Sequence, residues 1–255
     1  MDQRSTTAMG SRSETVAFWD RLYEGITSYS RELDENVERA LSSAQKFFQC
    51  KEGCNILDIG CGRGVTSIFW ASTGAQVTAI DYSVSAIAEL SERCERMGIA
   101  NIKPVVGDAM TVEELGQFDY VFGSMILHHL EPFGEFAAVL RRTLKADGRA
   151  FFYENNAASD LLIWFRNNLV GKLGVPKHGD KDESPLAPQE IDLLRRSFSV
   201  SVSYPEMVFF RLASPYLFRN QLKSGLKAID DFLYKRNVGV RYSYRQYVLL
   251  ESLTH

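Results

Sequence analysis

Two patterns of hydrophobic and polar positions alternate along the middle of the chain. Short apolar runs predict buried strands, and apolar residues recurring every three or four positions predict helices. The strand patterns lie at 54–59, 76–81, 102–106, 117–123 and 148–154. The helical patterns between them lie at 64–73, 84–97 and 133–144. Because such alternating segments are joined by crossovers, the pattern predicts an α/β fold with a parallel sheet.

The segments that flank this region follow less regular patterns. Residues 1–13 are polar and predict a disordered tail, and a single domain is expected over 14–255. Its expected parts are helices in 14–50, a sheet core in 51–155, additions in 156–240 and a closing strand in 241–255. Elements predicted at the two ends are helices at 32–48, 161–173 and 189–196, helical material over 207–236, and strands at 198–204 and 242–250.

A glycine-rich turn follows the first strand, in the run from Leu57 to Gly64. Apolar residues lead to Asp58, and glycines then stand at 60, 62 and 64, before a segment that can form a helix. Glycine accepts positive φ and lets a ligand approach the backbone closely. The helix that follows presents unpaired N–H groups. The run therefore predicts a ligand site, and the acid at the strand end favours a ligand with a cationic or hydrogen-bond-donating group.

Four polar residues fall at the expected carboxyl ends of successive strands. They are Asp58, Asp81, Asp108 and Ser124. Ligands of open α/β sheets bind at this edge, so the four side chains are candidates for one site. An acid at a strand end also commonly caps the next helix, and that alternative stays open for each acid taken alone. Asp119 is interpreted as a structural or solvated turn residue.

Composition narrows the functional classes. The chain has 255 residues, 45% of them hydrophobic, and a formal net charge of −3, which argues against a nucleic-acid surface. No apolar run is long enough to span a bilayer and the first residues lack a signal-peptide core, so a cytoplasmic protein is expected. Cys50 and Cys54 lack a second Cys or His pair, so reduced thiols and no metal site are expected.

Two cofactor classes compete for the glycine turn. A dinucleotide site requires G-x-G-x-x-G, but Val65 stands where the last glycine is needed. The run Leu57 to Gly64, together with Asp81, Asp108 and the stretch 118–130, resembles class I S-adenosylmethionine-dependent methyltransferases of the small-molecule type. The resemblance covers roughly residues 50–155. It implies a Rossmann-like, seven-stranded, mostly parallel sheet with helices on both faces, and a reversed hairpin at its end.

The resemblance also implies roles for particular residues. Gly60, Cys61 and Gly62 would lie against the methionine part of S-adenosylmethionine, with Asp58 balancing its amino group through water. Asp81 would bind the ribose hydroxyls. The backbone carbonyl of Ser124 would accept from the amino group of the methionine part. The remaining implied contacts are to the adenine, from Tyr82, Gly107, Asp108 and Ala109, and to the region of the sulfonium, from Tyr29. The helices in 14–50 would form a lid and the additions after residue 155 a substrate cap.

Methyl transfer from a sulfonium is an in-line displacement, which depends mainly on positioning. A base is needed only where the acceptor is protonated, and His128 and His129 after the fourth strand are the candidates. Glu154, at the end of the fifth strand, is expected to open into the same cleft and to orient or deprotonate an acceptor. A structural role for either histidine stays open.

The expected function is methyl transfer to oxygen or nitrogen of a small-molecule metabolite. Aromatic residues and arginines in 163–166 and 209–211 suit a flat molecule that carries a carboxylate or phosphate. Two alternatives stay open: a protein-residue methyltransferase, and a catalytically silent S-adenosylmethionine-binding regulatory subunit. No nucleic-acid partner and no membrane span are expected, and the oligomeric state, monomer or homodimer, is left open.

Overall fold

A seven-stranded sheet forms the centre of the computed structural model, which describes residues 34–169, 184–212, 214 and 221–253. The strands are β1 (Asn55–Ile59), β2 (Gln76–Asp81), β3 (Ile102–Val106), β4 (Phe118–Ser124), β5 (Leu144–Asn155), β6 (Phe198–Ser203) and β7 (Arg245–Ser252). Their order is β3-β2-β1-β4-β5-β7-β6. Strands β1 to β5 pair in parallel, whereas β7 is antiparallel to both neighbours.

The helices connect these strands in the predicted order. They are α1 (Glu35–Phe48), α2 (Val65–Ser72), α3 (Val84–Met97), α4 (Phe133–Thr143), α5 (Asp160–Leu169), α6 (Pro188–Leu194) and α7 (Lys223–Lys235). Short 3₁₀ helices at Ala109–Leu115, Leu127–His129 and Val240–Tyr242 were not predicted, since such short turns carry no helical periodicity. A fourth 3₁₀ helix, Phe210–Leu212, lies within the helical material predicted over 207–236. Strand β5 begins earlier than expected, at Leu144, and β7 is shifted toward the end of the chain.

Each face of the sheet carries its own buried core. On one face Phe152 and Val121 pack with Phe136 and Leu140 of α4. On the other face Phe122 and Phe151 pack with residues of α1, α2 and α3. The expected fold class, a mostly parallel sheet with helices on both faces, is therefore confirmed.

Helix α1 belongs to the second of these cores. Phe48 is 1% exposed, stacks on Tyr120 at 4.7 Å between ring centroids and meets the edge of Phe151 at 6.5 Å. Burial of one apolar face against the sheet explains why this sequence is helical here. The described part of the expected lid, residues 35–48, thus covers a sheet face. The remaining expected lid residues, 14–33, lie outside the described residues.

Cys50 and Cys54 precede β1 and are joined by a disulfide. The expectation of two reduced thiols is therefore wrong for this pair. Cys50 follows the end of α1, and the chain then makes a tight turn over 51–54, in which the Cys54 N–H donates to the Lys51 carbonyl at 3.1 Å. That turn brings the two Cα atoms to 6.2 Å, which is within the usual span of a disulfide.

A helix that crosses a bilayer needs about 20 mostly apolar residues. In residues 34–169, 184–212 and 221–253, no helix has both the length and the apolar character that crossing a membrane requires.

Candidate functional site

The carboxyl ends of β1, β2, β3 and β4 bring the predicted site residues to one edge of the sheet. Asp58 lies within β1 one residue before its end, and Asp81 is the last residue of β2. Asp108 follows β3, and Ser124 is the last residue of β4. Parallel pairing places all four at the same edge, as the strand pattern predicted. Tyr29 lies outside the described residues.

The glycine turn after β1 is held by backbone hydrogen bonds to the end of β2. The N–H groups of Gly60 and Cys61 donate to the Ile80 carbonyl at 2.9 and 3.1 Å. Gly60, Gly62 and Gly64 all have positive φ, of +66°, +51° and +75°. A residue with a side chain is disfavoured at positive φ. The backbone conformation of the turn therefore explains why glycine stands at all three positions.

For Gly60 and Gly64, packing is a second reason why no side chain fits at the position. A Cβ on Gly60 would lie 2.8 Å from Ile126 Cδ1, and one on Gly123 of β4 would lie 2.7 Å from Ile126 Cγ2. A Cβ on Gly64 would collide with Leu90 of α3. The space beside Gly60 is therefore filled by Ile126, a contact that the sequence did not reveal because the two residues are far apart in the chain.

Gly64→Ala should lower the free energy of unfolding by about 3 kcal/mol, because the new methyl group meets Leu90 and the backbone has positive φ. Gly98→Ala is the matched control, since Gly98 has φ of +66° but no atom within 4 Å of the added Cβ. Backbone strain alone should cost that variant about 1 kcal/mol. Urea denaturation of both variants measures the difference, and equal losses would contradict the collision with Leu90.

Asp81 bridges the glycine turn and the start of α3. Its Oδ2 accepts from the Gly62 N–H at 2.8 Å, and its Oδ1 accepts from the Ser83 N–H at 2.9 Å. The side chain thus lies directly against the glycine turn. Tyr82, the next residue, is 37% exposed.

Asp58 lies beneath the turn and is 1% exposed. Its Oδ2 accepts from the hydroxyls of Thr66 at 2.7 Å and Ser67 at 2.5 Å, both in the first turn of α2. Burial raises the pKa of Asp58 to about 6, with a further rise from the charge of Asp81. The two hydroxyls act in the opposite direction, because they stabilise the carboxylate.

Sequence reasoning missed Thr66 and Ser67. Their signal was present in retrospect, since two hydroxyl residues begin the helix that follows an acid and a turn. Cys61, inside the turn, is 7% exposed, and burial raises the pKa of its thiol. Its small side chain therefore fits an apolar position as a neutral thiol.

The segment after β3 joins the same edge. The Gly107 N–H donates to the Asp81 carbonyl at 3.0 Å, which ties this segment to the end of β2. Asp108 Oδ1 accepts from the Met110 N–H at 2.8 Å and so caps the 3₁₀ helix that begins at Ala109. Ala109 is 7% exposed. The capping role that was left open for Asp108 is therefore present in this structure.

Glu154 and His128 form a buried pair between β5 and the segment after β4. Glu154 Oε2 lies 2.7 Å from His128 Nδ1, and the two side chains are 0% and 2% exposed. Glu154 Oε1 accepts from the N–H groups of Ile126 and Leu127 at 2.8 and 2.7 Å. The expectation that Glu154 opens into a cleft is wrong, because both of its oxygens hold the chain that follows β4.

His129 lies beside His128, with 4.1 Å between the ring centroids. The two histidines share a 3₁₀ helix that follows Met125, a residue with φ of +55°. Positive φ in a non-glycine residue is strained, and such strain often accompanies a functional site. The hydrogen bonds that Glu154 accepts from this segment hold it in place.

Metal ions in proteins are held by groups of His, Cys, Asp or Glu side chains. Across the part of the chain that the structure describes, no three His, Cys, Asp or Glu residues are grouped so that they could hold a metal ion.

Several known proteins with similar sequences are named methyltransferases. Residues 56–148 match the family model of a methyltransferase domain. The chain is 28% identical to (S)-coclaurine N-methyltransferase of Papaver somniferum over 127 residues, which is 49% of this chain and 36% of the relative. It is 34% identical to a ubiquinone biosynthesis O-methyltransferase of Caulobacter vibrioides over 101 residues, 39% of this chain and 40% of the relative. The chain therefore spans less than half of the length of these two relatives.

A solved structure shares the fold over nearly the whole chain. It is N-methyltransferase NodS from Bradyrhizobium japonicum WM9 in complex with S-adenosyl-L-homocysteine. The TM-score is 0.60 at 14% identity, over 93% of this chain and 98% of that one. This likeness establishes the Rossmann-like architecture, with the glycine turn in the matched region 56–148.

Proposed function

We propose that this chain, in which residues 56–148 form a methyltransferase domain of the class I fold, is an S-adenosylmethionine-dependent enzyme. It methylates oxygen or nitrogen of a small-molecule acceptor by in-line displacement at the sulfonium carbon. The observation that supports this most directly is the contact between Asp81 and the Gly62 N–H, at the carboxyl edge of the sheet. Ligands of open α/β folds bind at that edge.

The residues at this edge suit the chemistry of that cofactor. Asp58 is buried and held by two hydroxyls, and the charge of Asp81 raises its pKa further. Two carboxylates whose charges interact favour a ligand with a cationic group, as the amino group and the sulfonium of S-adenosylmethionine provide. Asp81 would bind the ribose hydroxyls, and Tyr82 would flank the adenine. When bound, the cofactor supplies an activated methyl group.

Gly107, Asp108 and Ala109 would complete the adenine site. The backbone carbonyl of Ser124 would accept from the amino group of the methionine portion, and Tyr29 would approach the sulfonium. Support for the adenine assignments comes from the bonds that hold the segment after β3 against the end of β2. The turn residues Gly60 and Cys61 would accommodate the methionine portion.

The protein's own contribution to the chemistry is orientation and proton transfer. Glu154 fixes the backbone after β4 and the ring of His128, so it acts as a positioning residue. One of the two histidines accepts a proton from an acceptor that is protonated at working pH. His128→Ala and His129→Ala distinguish them: loss of the base reduces turnover while cofactor binding is kept, whereas loss of a structural ring reduces stability.

The function is tested by incubating the protein with methyl-labelled S-adenosylmethionine and two extracts, one of metabolites and one of proteins. Label recovered in small molecules supports the proposal. Label recovered only in protein would favour a protein-residue methyltransferase. Binding of the cofactor without transfer to either extract would favour a catalytically silent subunit. Fractionation of cells tests the cytoplasmic location that forms part of the proposal.

Cofactor affinity should depend on pH through Asp58. Burial raises its pKa from 3.8 to about 6, so the folded protein keeps a proton up to higher pH than the unfolded chain. This group therefore favours folding most at low pH, and that contribution declines as the pH rises from 3.8 to about 6. A cationic amino group favours the carboxylate, so S-adenosylhomocysteine should bind about tenfold more weakly at pH 5 than at pH 7.

Titration calorimetry over this pH range measures the effect, with Asp58→Asn as the comparison. The amide cannot ionise, so the variant should lose the pH dependence. The same slope in Asp58→Asn would show that another group titrates and would contradict the assignment of Asp58.

A further inference from the structure

Arg245 stands at the edge of the sheet that carries the proposed site. It is the first residue of β7, and the antiparallel pairing places it opposite Asn155 at the carboxyl end of β5. Because β7 runs against its neighbours, the start of this strand lies beside the ends of β4 and β5. The reversed strand therefore adds a cation to an edge where parallel strands end.

The neighbours of its guanidinium are neutral. Nη1 donates to Asn155 Oδ1 at 2.6 Å and lies 3.8 Å from the sulfur of Met125. The guanidinium carbon is 5.5 Å from the ring centroid of Tyr153 and 5.8 Å from that of Tyr244. The side chain is half-buried, and aromatic rings with one amide hold it in place.

Several other arginines of the described chain have acidic partners. Arg211 lies 2.6 Å from Glu206, which Arg39 also contacts at 3.2 Å. Arg149 lies 3.1 Å from Glu251 at the opposite end of the β5–β7 pair. In the part of the chain that the structure describes, no carboxylate forms an ion pair with Arg245. A half-buried cation is costly without a counter-charge, so this position favours an anionic ligand.

Met125 connects Arg245 to the proposed methyl-transfer centre. It directly follows Ser124, the residue expected to contact the cofactor, and its N–H donates to the Tyr153 carbonyl at 2.8 Å. Its sulfur touches Arg245. The guanidinium thus contacts the residue that directly follows the last residue of β4. An acceptor held there would lie next to the edge where the methyl donor is proposed to bind.

We propose that Arg245 binds a carboxylate of the methyl acceptor and so selects monoanionic substrates. This inference rests on the proposed function, since it concerns the acceptor of the same site. A guanidinium has five N–H donors in a plane that matches a carboxylate, and Asn155 occupies only part of them. A single cation among neutral side chains matches one negative charge better than the two of a phosphate monoester.

The test measures binding rather than transfer. The probes are 4-hydroxybenzoate, indole-3-acetate and benzoate, each paired with its carboxamide, and ligand-observed NMR titrations are run with S-adenosylhomocysteine present. The wild-type protein should bind at least one carboxylate about tenfold more tightly than the matched amide. Arg245→Gln should remove this preference and leave the affinity for S-adenosylhomocysteine unchanged.

Arg149→Gln is the matched control. Arg149 also lies over an aromatic ring, 5.4 Å from the centroid of Phe47, but it has an acidic partner and stands at the far end of the same strand pair. It should keep the wild-type preference. The proposal is overturned if no pair shows a preference for the acid, or if the preference survives in Arg245→Gln. Failure of the proposed function would appear separately, as absent binding of S-adenosylhomocysteine or absent transfer of label.

Discussion

Asp81→Ala is expected to weaken the binding of S-adenosylhomocysteine by about 100-fold, because in the proposed site the ribose would lose both oxygens of a charged acceptor. Two hydrogen bonds to a carboxylate contribute about 3 kcal/mol together, which corresponds to this factor. The Gly62 and Ser83 N–H groups also lose their acceptor, so the turn that faces the ligand is less well held. Titration calorimetry of folded protein, verified by circular dichroism, measures the loss.

Asp119→Ala serves as the control for this result. Asp119 is an acid near the start of β4, at the opposite edge of the sheet, where it accepts from the Asn55 N–H at 2.8 Å and from Lys145 Nζ at 2.7 Å. Its removal should leave the affinity for S-adenosylhomocysteine unchanged. If Asp81→Ala binds this ligand as tightly as the wild-type protein, Asp81 does not contact the ribose.

Glu154→Ala is expected to lower the free energy of unfolding by about 4 kcal/mol. The substitution leaves the buried N–H groups of Ile126 and Leu127 without an acceptor and removes the partner of His128. Loss of one member of a buried polar pair costs this much because the remaining groups stay desolvated. Chemical denaturation measures the change.

Two further variants make this expectation specific. Glu251→Ala removes an acid that is 49% exposed and pairs with Arg149, so it should cost less than about 1 kcal/mol. Glu154→Gln keeps an oxygen that can accept from both N–H groups but changes the contact with His128, and it should fall between the other two variants. A Glu154→Ala protein as stable as wild type would contradict the buried network.

Local sequence pattern predicted the fold well because its physical basis is local. The strands end where an apolar run meets Asp81 or Ser124, and the structure ends β2 and β4 at these residues. Helix α3 spans 84–97 as predicted, since Ser83 caps its start and Gly98 ends it with positive φ. The placement of four polar residues at one sheet edge followed from parallel pairing. Their roles in binding remain predictions.

The pattern of hydrophobic and polar residues could not predict contacts between segments that are distant in the sequence. The residue that fills the space at Gly60 is Ile126, and the acid that holds His128 lies on another strand. The burial of Glu154 differed from expectation because strand position shows that an acid lies near a site but not which way its oxygens point. The same limit applies to helix α1, whose apolar face covers the sheet instead of its strand ends.

By itself, the sequence determined the order of strands and helices, the glycine turn and the edge where Asp58, Asp81, Asp108 and Ser124 meet, because periodicity, glycine conformation and strand ends act over a few residues. Tertiary structure alone decided the pKa of Asp58, the buried position of Glu154 and the neutral surroundings of Arg245. These properties depend on desolvation and on partners from other strands, which only the folded chain brings together.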